Sequence, residues 1–432
     1  MRTGTASRTD TALMARAGER ALPYGVAHPL SHTRQWRRGV VQEVAPTGIL
    51  DLGPGYIEPA LLPVELVRDA YARALEEYGS ATLGYGHNPG ALPLRAQLAA
   101  RAGAQGGHPC GPEHVVVTAG TSQALYLLAT SLAAPGDTVL VENLGYDLGQ
   151  QIFRDCSLRP RRVAVDESGM LPEELDRALA GDAPGGDGVR GRIAFVYLTP
   201  THHNPTGATM PLERRRRLLH VAAEHDVLVV EDDAYGELTL TDDPVPPPPL
   251  AALAGYRGVI RLGSFSKTLG PGLRLGWLET EPALAERIAS HGLFVSGGSL
   301  NHITSLAVSG LLADGGYDRH LGVLRARLRR RRDTLVDVLR GAMDHRVRIR
   351  RPQGGFFLWL RCDLGLSEDD LLARADRAGV RVAAGSRFGV AHVPSVRLAF
   401  SFNAPALLKR AARRLTTAWS SGTPGPENGE EP

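Results

Sequence analysis

Runs of consecutive apolar residues alternate with helical patterns through the middle of the chain. Five runs show little of the apolar and polar alternation of a half-exposed strand, and they lie at 114–118, 138–142, 193–198, 227–231 and 258–263. Stretches with apolar residues at helical spacing separate several of them. Strands that are buried on both faces have this unbroken apolar character. The pattern therefore predicts an α/β fold, with a mainly parallel sheet covered by helices on both sides.

The pattern of apolar residues changes after this region. An arginine-rich helical stretch at about 318–339 is followed by apolar runs at 355–360 and 395–400, with helical spacing at 368–378 between them. This arrangement predicts a smaller α+β domain. The predicted division of the chain is an N-terminal arm at 1–45, an N-terminal part of the small domain at 46–70, a large domain at 71–305, the C-terminal small domain at 306–419 and a disordered tail at 420–432.

Composition narrows the classes of function. With 432 residues, of which 43% are apolar and 22% charged, the chain has the make-up of a soluble globular protein with room for two domains. The net charge of +3 is small and the basic residues are scattered, so nucleic acid is not expected as a partner. No apolar run approaches the roughly 20 residues that span a bilayer. Three widely spaced cysteines form neither a disulfide framework nor a zinc site, and we expect a cytoplasmic protein without a membrane partner.

One lysine stands out against a strong bias toward arginine. Of the 49 basic residues only two are lysines, Lys267 and Lys409, and Lys267 lies in the glycine-rich segment 264–277. A guanidinium can replace an ammonium in a salt bridge but cannot form an imine. A lysine kept in this segment therefore indicates chemistry that needs an amine.

Three further segments follow predicted strands, at the edge where open α/β sheets bind ligands. Residues 118–124 lead into a helix whose first turn offers free N–H groups and hydroxyls, which suits either a phosphate or a simple helix cap. Residues 199–207 contain an Asn-Pro-Thr-Gly turn, and 229–235 contain three carboxylates that could bind magnesium, cap a helix or pair with a buried cation. His202 and His203 are adjacent and lack the spacing of a zinc pair, so no metal is expected.

Together these segments match the needs of one cofactor. A lysine for an imine, an anion site at a helix start and a carboxylate for a pyridinium proton are what pyridoxal 5'-phosphate requires. The motifs Asn-Pro-Thr-Gly, Asp-x-Ala-Tyr and Ser-x-Ser-Lys-x-x-x-Pro-Gly-Leu-Arg-Leu-Gly-Trp occur in this order, and over about residues 48–418 the chain resembles the class I/II, fold-type I aminotransferases. The resemblance implies a seven-stranded, mainly parallel sheet in the large domain. It also implies pyridoxal phosphate as cofactor and amino transfer between an L-amino acid and a 2-oxo acid.

The resemblance implies catalytic roles for individual residues. Lys267 resembles the imine-forming lysine, and Asp232 resembles the carboxylate that binds the ring nitrogen. Asn204 and Tyr235 resemble the pair that binds the phenolic oxygen of the ring. An anionic Asp232 would keep the pyridine protonated. Lys267 would need a pKa well below its usual value to move a proton as a free amine.

Other residues would hold the substrate and the rest of the cofactor. Arg397 resembles the arginine that binds the substrate α-carboxylate bidentately, and Gly55 and Asn204 would lie on the substrate side. Tyr146 would stack on the ring. The residues that resemble phosphate ligands are Thr121, Ser122, Ser264, Arg274 and Tyr85. Tyr85 would reach the phosphate from a partner subunit, which implies a homodimer with shared active sites.

The chain departs from the family pattern at three places. The segment 142–146 lacks the usual proline before Tyr146, and 52–57 reads Leu-Gly-Pro-Gly-Tyr-Ile around Gly55 instead of Gly-x-Pro. The small-residue run 296–302 is either an ordinary loop or space for a bulky or polar substrate. The same cofactor site would also serve a cyclase, lyase or oxidase in specialised metabolism. A third possibility is an effector-binding regulator, although the roughly 48 residues before the fold are too few and too aperiodic for the helix-turn-helix of such proteins.

Overall fold

The computed structural model describes residues 46, 48–181, 192–241, 245–343 and 345–420. The predicted N-terminal arm at 1–45 lies outside the described residues. So does the predicted C-terminal tail, except for Ser420, which we expected to be disordered and which is instead the last residue of a helix.

Two groups of strands organise the fold. Their bounds are β1 Leu50–Asp51, β2 Val115–Thr118, β3 Thr138–Glu142, β4 Arg159–Val163, β5 Val165–Asp166, β6 Gly169–Met170, β7 Ile193–Leu198, β8 Leu228–Asp232, β9 Val259–Ser264, β10 Gly276–Glu279, β11 Val347–Ile349, β12 Phe357–Cys362, β13 Val380–Arg381, β14 Ala383–Ala384 and β15 Ser395–Ala399.

The helices connect and cover these strands. Their bounds are α1 Val64–Tyr78, α2 Leu92–Gly106, α3 Thr121–Leu132, α4 Asp147–Asp155, α5 Pro172–Ala180, α6 Leu212–Glu224, α7 Leu250–Leu253, α8 Pro282–Ala289, α9 Gly292–Gly297, α10 His302–Ala313, α11 Gly316–Ala342, α12 Glu368–Arg377 and α13 Pro405–Ser420. Short 3-10 turns lie between several of them, including one at Phe265–Lys267.

The large sheet has seven strands in the order β2-β10-β9-β8-β7-β3-β4. All its strands run parallel except β10, which pairs antiparallel with both β2 and β9. The predicted seven-stranded, mainly parallel sheet is therefore confirmed. Strand β10 begins with Gly276, which lies opposite both Thr118 and Ser264. The carboxyl ends of the parallel strands and the start of β10 thus meet at one edge.

Alternate residues of the central strands belong to opposite helical layers. Tyr197 and Val230 pack in the same cluster as the buried face of α3, whereas Val196 and Val229 pack with α5, α6 and α7. This period of two follows from strand geometry, and burial on both faces explains the unbroken apolar runs of the sequence. Strand β4 was not predicted, because its Arg-Pro-Arg-Arg-Val sequence is polar. Its position at the sheet edge accounts for this, since charged residues and proline are typical of edge strands.

A second sheet has the antiparallel order β11-β12-β15-β14. In it Arg397 lies opposite Trp359 on β12 and Ala383 on β14. Strand β1 pairs parallel with β13, with Leu50 opposite Val380, so the start of the described chain joins the region that contains this sheet. The 27-residue helix α11 packs against α13 and presents buried leucines at helical spacing, namely Leu321, Leu324, Leu328, Leu335 and Leu339.

Within the described ranges, no helix is long and apolar enough to cross a membrane.

Candidate active site

Lys267 lies at the edge where the parallel strands end. Strand β9 stops at Ser264, and a 3-10 turn then carries Lys267 over the sheet edge. The Nζ atom donates a hydrogen bond to the Gly55 carbonyl at 2.8 Å and lies 5.6 Å from the centre of the Tyr235 ring. Burial, with the nearby charge of Arg397, lowers the pKa of Lys267 to about 8. A substantial fraction of this amine is therefore neutral in mildly alkaline solution.

Asp232 is the last residue of β8, the strand next to β9. Its Oδ2 accepts a hydrogen bond from the Tyr197 hydroxyl at 2.6 Å, and its Oδ1 accepts one from the backbone N–H of Ala234 at 3.3 Å. Burial raises the pKa of Asp232, and the Tyr197 hydrogen bond opposes that rise. The carboxylate is held in a fixed position, and the donor from Tyr197 favours its charged form.

Tyr197 was not among the predicted site residues. Tyr197 lies on β7, directly opposite Val230 of β8. Side chains alternate along a strand, so Asp232, two residues after Val230, lies on the same sheet face as Val230 and Tyr197. A signal was present in the sequence: one tyrosine within the otherwise apolar run 193–198, next in sheet order to the strand that ends in Asp232. A buried tyrosine hydroxyl normally finds a hydrogen-bond partner.

The two carboxylates beside Asp232 face other partners. Glu231 accepts hydrogen bonds at 3.0 Å from the backbone N–H groups of Leu250 and Ala251 at the start of α7. Asp233 pairs with Arg261 at 2.6 Å. Of the three uses left open by the sequence, helix capping and pairing with a buried cation are therefore found here. No group of side chains in the described ranges has the arrangement of a metal site.

Arg397 projects from β15 into a buried, mainly aromatic setting. Its guanidinium carbon lies 4.0 Å from the centre of the Phe357 ring and 4.5 Å from that of Phe388. One Nη donates to Asn204 Oδ1 at 2.9 Å and the other to the Gly53 carbonyl at 2.7 Å. Its Nε is buried and has no partner among the described residues. Burial lowers the pKa of Arg397 to about 10, so the group remains a cation with a spare donor.

A second cationic group lies at the start of α3. The Arg274 guanidinium donates to the Ala119 carbonyl at 3.0 Å, and a Cβ on Gly120 would come within 2.8 Å of it. Thr121 and Ser122 form the first turn of α3, whose N–H groups have no partner within the helix. Ser264 ends β9 nearby in the fold, opposite Gly276. A helix start, hydroxyls and an arginine form a suitable site for a phosphate dianion.

Tyr146 immediately precedes α4 and packs over Gly149. A Cβ at Gly149 would lie 2.9 Å from the Tyr146 ring and 3.3 Å from the Tyr197 hydroxyl. Burial, with the charges of Asp232 and Asp147, raises the pKa of Tyr146 to about 12. The structure therefore brings Tyr146 beside Asp232 although the segment before it lacks the usual proline.

Of the remaining predicted residues, Tyr235 and Gly55 lie at the site, whereas Tyr85 does not. Tyr235 is buried against the rings of Phe356 and Phe357, at 5.4 and 5.8 Å between ring centres, and so lies between Lys267 and the aromatic setting of Arg397. Gly55 reaches the site through its carbonyl. Tyr85 is 88% exposed, and a single chain does not bring it to the other site residues.

Comparison with known proteins agrees with this geometry. The family model described as aminotransferase class I and II matches residues 50–415. The chain belongs to the class I and II aminotransferases. It is 30% identical to aromatic-amino-acid aminotransferase 1 of Thermococcus litoralis, over 88% of this chain and 89% of that one. It is 35% identical to 2-aminoadipate transaminase of Thermus thermophilus, over 79% of this chain and 82% of that one.

A solved structure shows the same fold with a cofactor derivative. The α-aminoadipate aminotransferase LysN from Thermus thermophilus, complexed with N-(5'-phosphopyridoxyl)-L-leucine, matches with a TM-score of 0.75 and 33% identity, over 86% of this aminotransferase and 92% of that chain. This aminotransferase is accordingly a fold-type I enzyme that depends on pyridoxal 5'-phosphate and transfers an amino group between an amino acid and a 2-oxo acid.

Proposed function

We propose that Lys267 is the residue that binds the cofactor aldehyde and later moves the substrate proton in this aminotransferase. The observation that supports this most directly is a partly buried lysine, with a pKa lowered to about 8, near Asp232 and Arg397. Pyridoxal phosphate, when bound, supplies an aldehyde for the amine of the substrate and an electron-withdrawing ring. A free Lys267 Nζ with a pKa near neutrality can both accept and return a proton at the substrate Cα.

The residues present fit the other groups of the cofactor. Asp232, with Tyr197 behind it, would hold the proton of the ring nitrogen. Asn204 and Tyr235 would bind the phenolic oxygen, and Tyr146 would cover a ring face. The phosphate would lie at the start of α3, within reach of Thr121, Ser122, Ser264 and Arg274. The fold supports this assignment, because Thr121, Ser122, Tyr146 and Asn204 lie in segments that follow parallel strands, and Asp232 and Ser264 end two further strands at the same edge.

Arg397 would bind the substrate α-carboxylate. Its buried Nε lacks a partner in the described chain, and a buried donor without a partner is costly unless a ligand satisfies it. Phe357 and Phe388 both pack close to the guanidinium, at 4.0 and 4.5 Å from ring centre to guanidinium carbon. A carboxylate that approaches in that plane can form the paired hydrogen bonds that arginine favours.

We further propose a homodimer in which each subunit completes the site of the other. Tyr85 is 88% exposed and Leu83 is 78% exposed in the loop before α2. Exposed apolar groups of this size mark contact surfaces when they cluster. A partner subunit would bury this loop and bring Tyr85 to the phosphate. The three free cysteines fit the reducing cytoplasm, where we place the protein.

The substrate is proposed as an L-amino acid with an apolar, aromatic or acidic side chain, because the named relatives act on aromatic amino acids and 2-aminoadipate. The test is to incubate the holoenzyme with a panel of L-amino acids and either pyruvate or 2-oxoglutarate, and to measure the new amino and oxo acids. We expect transfer with at least one pair. Absence of transfer from every donor to both acceptors would refute the proposal.

A further inference from the structure

A second arginine lies beside Arg397, in the loop that follows β14. This loop packs on the segment before α4: Gly145 N–H donates to the Phe388 carbonyl at 3.0 Å, and Asn143 Nδ2 donates to the Val390 carbonyl at 3.1 Å. Gly389 permits the contact, because a Cβ there would lie 1.8 Å from the Asn143 carbonyl oxygen. The backbone that follows Arg387 is therefore held in position against the segment before α4.

Arg387 is paired with Asp147 but is not fully engaged. Its Nε donates to Asp147 Oδ2 at 2.5 Å, and the side chains are 46% and 21% exposed. Asp147 is the first residue of α4, where the helix dipole stabilises a carboxylate. The two Nη nitrogens of Arg387 make no hydrogen bond to any described residue. They form a planar fork that is open to a ligand.

The two arginines share one aromatic ring. The guanidinium carbon of Arg387 lies 5.8 Å from the centre of the Phe388 ring, and that of Arg397 lies 4.5 Å from it. The two carbons are thus within about 10 Å of each other. Besides burial, the charge of Arg387 contributes to the lowered pKa of Arg397, and it opposes the rise that burial causes in the pKa of Tyr146. An anion bound to Arg397 would therefore have a second cation within reach.

Open donors and charge together indicate which ligand suits this arrangement. With Arg274 assigned to the phosphate and Asp232 to the ring nitrogen, Arg397 and Arg387 leave two positive charges against one negative charge, that of Asp147. One carboxylate on Arg397 balances these charges but leaves the two Nη groups of Arg387 to the solvent. A second carboxylate would accept hydrogen bonds from those two groups. A distal ammonium would instead be repelled by both arginines and would compete with Arg387 for Asp147.

We propose that Arg387 binds the distal carboxylate of a dicarboxylic amino acid or 2-oxo acid whose α-carboxylate lies on Arg397, and that Asp147 holds Arg387 in position. This proposal rests on the proposed function. Because the two guanidinium carbons lie within about 10 Å of each other, a short dicarboxylic acid in a bent conformation can contact both groups. Arg387 is then the residue that separates dicarboxylic from monocarboxylic substrates.

The test compares Arg387→Met with Arg361→Met in the holoenzyme. Arg361 is a matched control, because it pairs with an acidic residue, Glu167, at 2.8 Å and is 38% exposed, and its pairing partner is not one of the site residues. We expect R387M to lower kcat/KM for glutamate, 2-aminoadipate and 2-oxoglutarate about 10-fold or more, as loss of a hydrogen-bonded charge pair does. We expect kcat/KM for phenylalanine, leucine and pyruvate to stay within about 2-fold, and R361M to change neither group.

A binding measurement keeps this inference separate from the proposed function. Glutarate should raise the Tm of the wild-type holoenzyme more than butyrate does, and R387M should abolish the difference. If no amino donor is active but glutarate retains this Arg387-dependent effect, only the proposed function fails. An unchanged ratio of dicarboxylate to monocarboxylate kcat/KM in R387M would overturn the inference. So would a loss of lysine or ornithine turnover in Asp147→Asn with dicarboxylate turnover unaffected in R387M, because Asp147 would then bind a distal cation.

Discussion

Removal of the Tyr197 hydroxyl tests how the cofactor nitrogen would be held. In Tyr197→Phe, the Oδ2 of Asp232 loses a donor at 2.6 Å in a buried setting. Loss of a hydrogen bond to a buried charged group costs about 1.5 to 3 kcal/mol. This energy corresponds to a rise of about one to two units in the pKa of Asp232. It also corresponds to a fall of about 10- to 100-fold in kcat/KM if ionised Asp232 is needed in the transition state.

The pH dependence has a definite sign. Burial already raises the pKa of Asp232 above its value in the unfolded chain, so the folded protein favours the protonated carboxyl group. The stability that this protonated group contributes is present at low pH and is lost as the pH rises through the folded pKa. Tyr197→Phe raises that pKa further. The deficit in unfolding free energy of the cofactor-free variant should therefore be small near about pH 4 and largest near about pH 7.

The assay is kcat/KM with one amino donor across the pH range, together with thermal unfolding of the cofactor-free protein at both pH values. Tyr256→Phe is the control, because Tyr256 is also a buried tyrosine but lies in the apolar layer formed with α7, away from Asp232. If Tyr197→Phe loses no more activity than Tyr256→Phe, or if its stability deficit does not depend on pH, the role assigned to the hydroxyl is wrong.

Three further predictions concern the cofactor lysine, the carboxylate site and the dimer. Lys267→Ala should lose the visible absorption band of the bound cofactor. The control is Lys409→Ala, at the only other lysine of the sequence, which should keep the band. A band that persists in Lys267→Ala would contradict the assignment of Lys267. Arg397→Lys should lower kcat/KM for every amino donor by about 10-fold or more, because a lysine cannot form the paired hydrogen bonds of a guanidinium; a loss confined to a few donors would argue against α-carboxylate binding. Mixing Lys267→Ala with a weakly active Tyr85→Ala variant should restore activity if the sites are shared. Some mixed dimers then contain one intact site, with Lys267 from one subunit and Tyr85 from the other. Activity no higher than the sum of the two separate variants would contradict sharing.

Much of the sheet could be predicted because its signal is local. Strands β3 and β7 lie at the predicted residues, β2 begins one residue later than predicted, and β8 and β9 are displaced by one residue. The agreement is close because strands covered on both faces are apolar throughout. Strand β10 was missed because it is short and follows the lysine segment without a separate turn signal. The arginines of β4 concealed a strand whose edge position can be seen only once the strand order is known.

The site was predictable where a motif specifies a residue, and much less so where two distant segments meet. The hydrogen bond between Tyr197 and Asp232 depends on the register of β7 against β8. The contact between Asn204 and Arg397 joins residues 193 positions apart, and that between Asp147 and Arg387 joins residues 240 apart. No periodicity in the sequence encodes such pairings. The role of each predicted site residue, and the division of the chain into a large and a small domain, stay predictions until variants are measured.

The two rings beside Arg397 have a consequence for stereochemistry. Phe357 and Phe388 lie 4.0 and 4.5 Å from the guanidinium carbon and limit the space in which it can turn. A carboxylate bound there would then take a restricted orientation. An amino acid held in that orientation, with its amine and its Cα hydrogen toward Lys267, would have a single remaining direction for its side chain. Its mirror image would direct the side chain or the hydrogen elsewhere, so we expect the two rings to favour one enantiomer.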